Sequence, residues 1–275
     1  MNKSLDLVLG AGGIKGYAHV GVLRAIEELK IPIGKVTGIS VGAGVAALYT
    51  NGHNSEDILN AFKMGRRRMF DLHLWSSCLR VPNPMQWMVS QSSLSLEGPW
   101  HDQVERYGLK PNDRLQILSY DVSKAAPVLF KGTNYDLAMA VAASGSVPGC
   151  FMPVQYGGGM LVDGALYHYN PTVFSEAPAI VVRLGRATRW PQEPMTPIDA
   201  YYHYREMYLP LLPSNAEVDE SKHFVIDVPC EDVAGLSFGA SEQRCMRLVE
   251  EGYQAAMKVL KPLAKRLRAE AAANA

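Results

Sequence analysis

Apolar positions along this chain fall into two rhythms. Short, nearly continuous runs such as Leu5-Asp6-Leu7-Val8-Leu9 and Ala179-Ile180-Val181-Val182-Arg183-Leu184 have the length and β-branched content of buried strands, and they predict strands near 5–10, 35–39, 115–120, 160–163, 179–184 and 223–228. Between them apolar residues recur at helical spacing. The pattern is clearest from Tyr17 to Lys30, where Val20, Leu23, Ile26 and Leu29 fall on one face. Helices are predicted over 16–30, 42–50, 55–65, 135–144 and 241–269, the last carrying Leu260, Leu263 and Leu267 on a basic background with a kink at Pro262. Strands alternating with helices predict a three-layer α/β/α fold around a mostly parallel central sheet, with ligands at the carboxyl ends of the strands.

Two glycine-bearing turns fall at those ends. The first is Gly10-Ala11-Gly12-Gly13-Ile14-Lys15-Gly16, between the first strand and the first helix, where unpaired amides at a helix start can bind an anion. A dinucleotide fingerprint does not fit, because Lys15 stands where the third glycine belongs and no acidic residue ends a strand about twenty residues on. A Walker loop needs Gly-Lys-Ser/Thr, which is absent there. The second turn is Gly38-Ile39-Ser40-Val41-Gly42, a Gly-x-Ser-x-Gly pentapeptide between an apolar approach and a run of small helix formers. A serine on such a sharp turn presents its hydroxyl, and Gly38 and Gly42 let strand and helix approach closely. Ser40 therefore reads as a nucleophile, and the Gly12 and Gly13 amides as the oxyanion donors for the tetrahedral intermediate.

A serine needs a base. Asp163, at the end of the apolar run Gly159-Met160-Leu161-Val162 and followed by Gly164-Ala165, is the strongest candidate. A histidine would complete a Ser-His-Asp triad, and His168, His203 and His223 follow Asp163 in the chain, but none of the seven histidines has a context that selects it. A dyad is preferred.

These segments resemble the patatin-like phospholipases, which share the core of cytosolic phospholipase A2. The family's Gly-Gly-Gly-x-Arg/Lys-Gly loop is similar to Ala11-Gly12-Gly13-Ile14-Lys15-Gly16, with Ala11 in place of the first glycine, and its elbow matches Gly38 to Gly42. An Ala-Ser-x-x-x-Pro-x-x-Phe-x-Pro block matches Ala143 to Pro153, and the Asp-Gly-Gly/Ala block matches Asp163-Gly164-Ala165, with Pro171 beyond it. The resemblance implies a Ser40–Asp163 dyad served by Gly12 and Gly13. It gives Lys15 the family's basic position, to hold the loop or a lipid phosphate. Asp163 would need its proton affinity raised by partial desolvation, toward which Leu161 and Val162 contribute. The implied activity is hydrolysis of carboxylic esters in lipids or phospholipids through an acyl-serine intermediate.

Composition narrows the setting. A chain of 275 residues, 48% hydrophobic, is the size of one α/β domain, expected over 1–275. Its 27 basic and 27 acidic residues cancel, which argues against nucleic acid. Cys78, Cys150, Cys230 and Cys245 are widely spaced and fit reduced cytoplasmic thiols, and no apolar stretch reaches membrane-spanning length. No His, Cys, Asp and Glu group has ligand spacing, so neither a metal nor another cofactor is expected. Residues 64–100 are expected to form a cap or lipid-facing segment giving peripheral membrane contact: Arg66, Arg67 and Arg68 precede Met69, Phe70, Leu72, Leu74, Trp75, Met85, Trp87 and Met88. The aromatic Tyr201-Tyr202-His203-Tyr204 stretch, with Met207 to Leu212, is a second candidate for acyl contact. Two alternatives remain beside the dyad hydrolase. One is a triad esterase of the ordinary α/β-hydrolase fold, disfavoured because only about one strand comes before the elbow. The other is a lipid- or nucleotide-binding module without turnover.

Overall fold

The computed structural model describes residues 4–68, 79–90, 92–167, 172, 175, 178–208 and 218–273. In chain order the elements begin β1 (Leu5–Leu9), a 3-10 turn (Gly13–Lys15), α1 (Gly16–Leu29), β2 (Ile33–Ile39), α2 (Val41–Thr50) and α3 (Ser55–Arg68). They continue with α4 (Pro84–Ser90), α5 (Glu97–Arg106), β3 (Leu115–Asp121), β4 (Ala126–Lys131), α6 (Leu137–Gly145), β5 (Val154–Tyr156) and β6 (Gly159–Asp163). A second 3-10 turn (Gly164–Leu166), β7 (Ala179–Leu184), α7 (Pro197–Tyr208), β8 (Phe224–Val228) and α8 (Glu242–Ala273) complete them.

The sheet is mixed and mostly parallel. β3, β2, β1, β7 and β8 run side by side in one direction. β4 and β6 are both antiparallel to β3, and β4 pairs with it along Gln116 to Asp121. A strand has two edges, so β2 and β6 must share the other one. β2 takes its first half, with Ile39 opposite Leu118, and β6 takes its second, with Asp163 opposite Ser119. The two strands run toward each other and end at the same junction. That topology brings Ser40, the residue after β2, to the last residue of β6.

The period-2 alternation of side chains sorts the strands' residues onto two faces. Leu7, Leu9, Val36, Ile117, Ile180 and Val182 join a large core with Leu23, Val45, Ile58, Val141 and Leu248 from the helices. Alternate positions build smaller clusters: Val8 and Val181 with Val218, and Ile39 and Leu118 with Ala11 and Ala165. All five β1 positions are buried, as expected for a parallel strand covered on both faces. Each such aliphatic side chain contributes roughly 1.5–3 kcal/mol. Asp6, the polar exception, accepts the Lys35 amide at 3.0 Å.

Five elements depart from the expected set. β4 contains Pro127, which reads against a strand but is tolerated beside a sheet edge, and β5 is only three residues long. Helices α4, α5 and α7 lack an apolar stripe long enough to register. The last helix is one element through Pro262, whose exposed position leaves the freed carbonyl of the preceding turn to water. The side chains of Arg66, Arg67 and Arg68, residues 69–78 with Phe70, Leu72, Leu74 and Trp75, and residues His168 and Pro171 lie outside the described residues, as do 209–212. Among the described residues no helix is long and apolar enough to cross a membrane.

Candidate active site

β2 ends at Ile39 and α2 begins at Val41, leaving Ser40 alone to reverse the chain. It does so at φ 55 and ψ −125, a conformation costing a non-glycine residue on the order of 1–3 kcal/mol. Such a turn requires contact between backbones. A Cβ on Gly38 would lie 2.3 Å from the Gly42 carbonyl oxygen, and one on Gly42 would lie 2.2 Å from that of Leu9. The glycines of the pentapeptide are there because nothing larger fits, and Gly42 also presses the elbow against the end of β1.

The strain is held by α6. The Ser40 amide donates to Ser144 Oγ at 2.9 Å, and that hydroxyl donates to the Leu118 carbonyl at 2.7 Å. Two residues on, the Ser146 carbonyl accepts the Asp163 amide at 3.0 Å. The last turn of α6 and the residue that caps it therefore grip the backbones of Ser40 and Asp163 respectively. Ser144 lies inside the Ala-Ser block read from the sequence, but its hydroxyl's partners were not legible there.

Asp163 is 3% exposed and caps the turn that follows, with Oδ1 accepting the Ala165 amide at 2.9 Å. Gly164 permits this turn, since a Cβ there would lie 2.3 Å from the Leu118 carbonyl oxygen. Burial pushes the Asp163 carboxyl up to about 7, against the opposing pull of the Ala165 amide and a hydrogen bond from the Ser40 side chain. A serine hydroxyl and a carboxylate able to take its proton near neutrality are thus in contact.

The glycine loop abuts the elbow, because β1 and β2 are neighbours with Leu9 opposite Gly38. Gly12 has extended backbone (φ 166) and Gly13 is left-handed (φ 54). Among the described residues neither the Gly12 nor the Gly13 amide has a backbone acceptor, whereas Gly10 donates to Val182 and Ile14 to Gly235. With the Ser40 amide committed to Ser144, the Gly12 and Gly13 amides are, with that of Ala11, the loop donors beside it that have no acceptor among the described residues. Lys15 is 1% exposed, and its ammonium donates to the Gly185 carbonyl at 2.7 Å and to the Glu206 carboxylate. Of the two roles set out for Lys15, these two contacts suit holding the loop.

His203, His223 and His19 are engaged elsewhere. His203 is buried, donates through Nε2 to the Arg189 carbonyl at 2.9 Å and stacks on Trp190. His223 accepts the Ala179 amide at the amino ends of β7 and β8, the opposite edge of the sheet from Ser40. His19, fully buried beneath the glycine loop, donates to the Gly10 carbonyl at 2.8 Å and is pushed down to about 4 by burial, so it stays neutral.

Residues 7–174 match the family described as Patatin-like phospholipase. Similar curated proteins include the lysophospholipase NTE1 of Debaryomyces hansenii, 28% identical over 179 residues, and that of Chaetomium globosum, 32% identical over 172. Each alignment takes in 62% of this chain, and the chain spans 11% of the length of each relative. Among solved structures, VipD from Legionella pneumophila superposes with a TM-score of 0.55 at 14% identity, covering 94% of this chain and 67% of that one. At that identity the likeness is one of fold.

Proposed function

The chain belongs to the patatin-like phospholipase family, and on that premise we propose that it hydrolyses carboxylic esters of lipids through an acyl-Ser40 intermediate, with Asp163 as proton acceptor. In the first half-reaction Asp163 takes the proton from Ser40 Oγ as the oxygen attacks the ester carbonyl. The Gly12 and Gly13 amides receive the negative oxygen, each donor contributing roughly 2.7–4 kcal/mol to the transition state in comparable sites. Collapse expels the alcohol, which leaves with the proton from Asp163. Water then attacks the acyl-serine, Asp163 takes its proton, and the fatty acid departs as Ser40 recovers its hydrogen.

The observation that carries this reading is the buried Asp163 carboxyl, raised to about 7 and bonded by the Ser40 side chain. An aspartate in water is too acidic to be an effective base at neutral pH, and burial is the physical means of correcting that. Lipid as substrate is supported by the family and by α4, a helix of inverted polarity. Gln86 and Ser90 are its buried side, while Met85, Trp87 and Met88 are 58%, 51% and 73% exposed. Such a surface suits contact with an apolar medium. Because the relatives named above are lysophospholipases, single-chain phospholipids are the first lipids to assay.

Ser40→Ala tests the reading. It is expected to abolish hydrolysis of a short p-nitrophenyl ester with the circular dichroism spectrum unchanged, and a variant keeping more than about a tenth of the wild-type turnover would remove Ser40 from the mechanism.

A further inference from the structure

The glycine loop is held in place by a residue from the other end of the chain. Glu206, in the last turn of α7, accepts the Ala187 amide on Oε1 at 2.8 Å and the Gly235 amide on Oε2 at 2.7 Å, and its Oε1 also takes the Lys15 ammonium. Each donor belongs to a different segment. Lys15 closes the glycine loop, where its amide bonds the Gly12 carbonyl at 3.0 Å. Ala187 follows β7 just beyond Gly185, whose carbonyl is the second acceptor of the Lys15 ammonium. Gly235 lies directly against the loop: its carbonyl accepts the Ile14 amide at 2.8 Å, and a Cβ on Gly13 would lie 2.0 Å from that same oxygen.

We propose that Glu206 is a positioning residue for ester hydrolysis, fixing through Lys15 and Gly235 where the Gly12 and Gly13 amides point. This rests on the reading of those amides as oxyanion donors. An oxyanion hole works only when its donors are already aimed at the developing charge, and a misplacement of about 1 Å can cost roughly 100-fold in rate. Gly13 has no side chain and a left-handed backbone, so the loop's own restraint is the Lys15 amide bond to the Gly12 carbonyl. Resistance from outside comes through the Ile14 bond to Gly235 and through one carboxylate with three donors. It must be a carboxylate, because an uncompensated ammonium as buried as that of Lys15 would draw in water or a new partner and pull the loop with it.

The test compares wild type, Glu206→Gln and Glu206→Asp for turnover of a soluble p-nitrophenyl ester and for inhibition by an alkyl trifluoromethyl ketone, whose hemiketal mimics the tetrahedral oxyanion. Glu206→Gln loses the charge and sets an amide NH2 against a donor. It is expected to lower kcat roughly 10- to 100-fold, to change KM less than about threefold, and to weaken ketone inhibition by the same factor as kcat. Glu206→Asp keeps the charge and is expected to recover part of both losses. A role confined to stability would lower the melting temperature and leave kcat and ketone affinity of the folded protein within about twofold of wild type, and that result would overturn the proposal. Should Glu206→Gln fail to fold, Glu206→Asp decides alone: kcat and ketone affinity falling together support positioning, and both unchanged refute it. A wild-type protein that turns over the ester without binding the ketone would overturn the oxyanion reading of the loop and this inference with it. A wild type inert to both would overturn the hydrolase reading.

Discussion

The carboxyl edge of the sheet and the apron formed by residues 79–90, Ser92 and α7 flank the same loop, residues 146–153, yet arrange polar and apolar atoms in opposite senses. At the edge, Ser40, Ser144 and Asp163 are buried, and their polar atoms are matched at distances near 3 Å, the Ser40 amide on Ser144 Oγ and the Ala165 amide on Asp163 Oδ1. On the apron, polar side chains are the anchors and apolar ones face outward. Gln86 reaches the Pro153 carbonyl at 3.2 Å, Ser92 reaches that of Cys150 at 2.8 Å, and the Cys150 thiol meets the Tyr202 hydroxyl. Above these anchors Leu79, Val81, Met88 and Tyr201 are 55%, 96%, 73% and 54% exposed. The edge buries its polar groups, and the apron exposes its apolar ones.

The largest effect expected from this contrast comes from Asp163→Asn, which keeps the shape of the edge and removes its proton acceptor. Turnover should fall by roughly three orders of magnitude or more, at the upper end of what a positioned general base supplies. Stability should move the other way. A carboxyl raised to about 7 in the folded protein binds its proton more tightly than it does unfolded, so its contribution to stability is full below the ordinary aspartate range and is lost as pH rises through about 7. At pH 8 the ionised, buried group therefore costs on the order of a few kcal/mol. Asp163→Asn should melt no lower than wild type at pH 8, with any advantage shrinking toward pH 5. Thermal denaturation at the two pH values checks this, and a variant melting well below wild type at pH 8 would mean that the charge is favourable where it sits.

Next in size is Gly42→Ala. With a Cβ forced to 2.2 Å from the Leu9 oxygen, the elbow must separate from β1, at a cost of about 1–3 kcal/mol and with loss of most activity. Gly65→Ala is the control: it lies in α3 with nothing within 4 Å of the added carbon, and is expected to be neutral or stabilising by roughly 0.4–1 kcal/mol. Urea titration of both variants separates close approach from the general effect of losing a glycine.

These two outcomes bear on what the sequence could reveal. Wherever backbones touch, the chain must spell glycine, and so Gly38, Gly42 and Gly164 announce the elbow and the Asp163 turn in short, recognisable words. The strands were legible for a similar reason, since a buried parallel strand needs an unbroken apolar run. Glu206 had no such mark: it lies 191 residues from Lys15, in a helix without an apolar stripe, and only the folded chain unites them. Helix α4 escaped because the usual pattern assumes that apolar residues point inward, and here they point outward. Pro127 hid β4 in the same way, by obeying a rule for edges rather than for interiors.

The smallest effect should come from the apron itself. Replacing Trp87 and Met88 together with serine removes two exposed apolar side chains, each contributing up to roughly 1.5–3 kcal/mol if fully buried in lipid. Partition onto phosphatidylcholine vesicles is expected to fall several-fold or more, while turnover of a soluble ester stays at the wild-type rate. Vesicle sedimentation alongside the esterase assay reads both, and equal vesicle binding would leave the apron without a role in lipid contact.

The pairing of Ser40 with a carboxylate poised near neutrality is tested most directly by the rate at which a fluorophosphonate labels the protein as pH is varied, with the adduct located by mass spectrometry. The adduct is expected on Ser40, with a rate that climbs as pH rises through about 7, levels off above it, and becomes slow and pH-independent over this range in Asp163→Asn. An adduct on another residue, or a wild-type rate that keeps climbing past pH 9 with no break near 7, would contradict the assignment of Asp163 as the base.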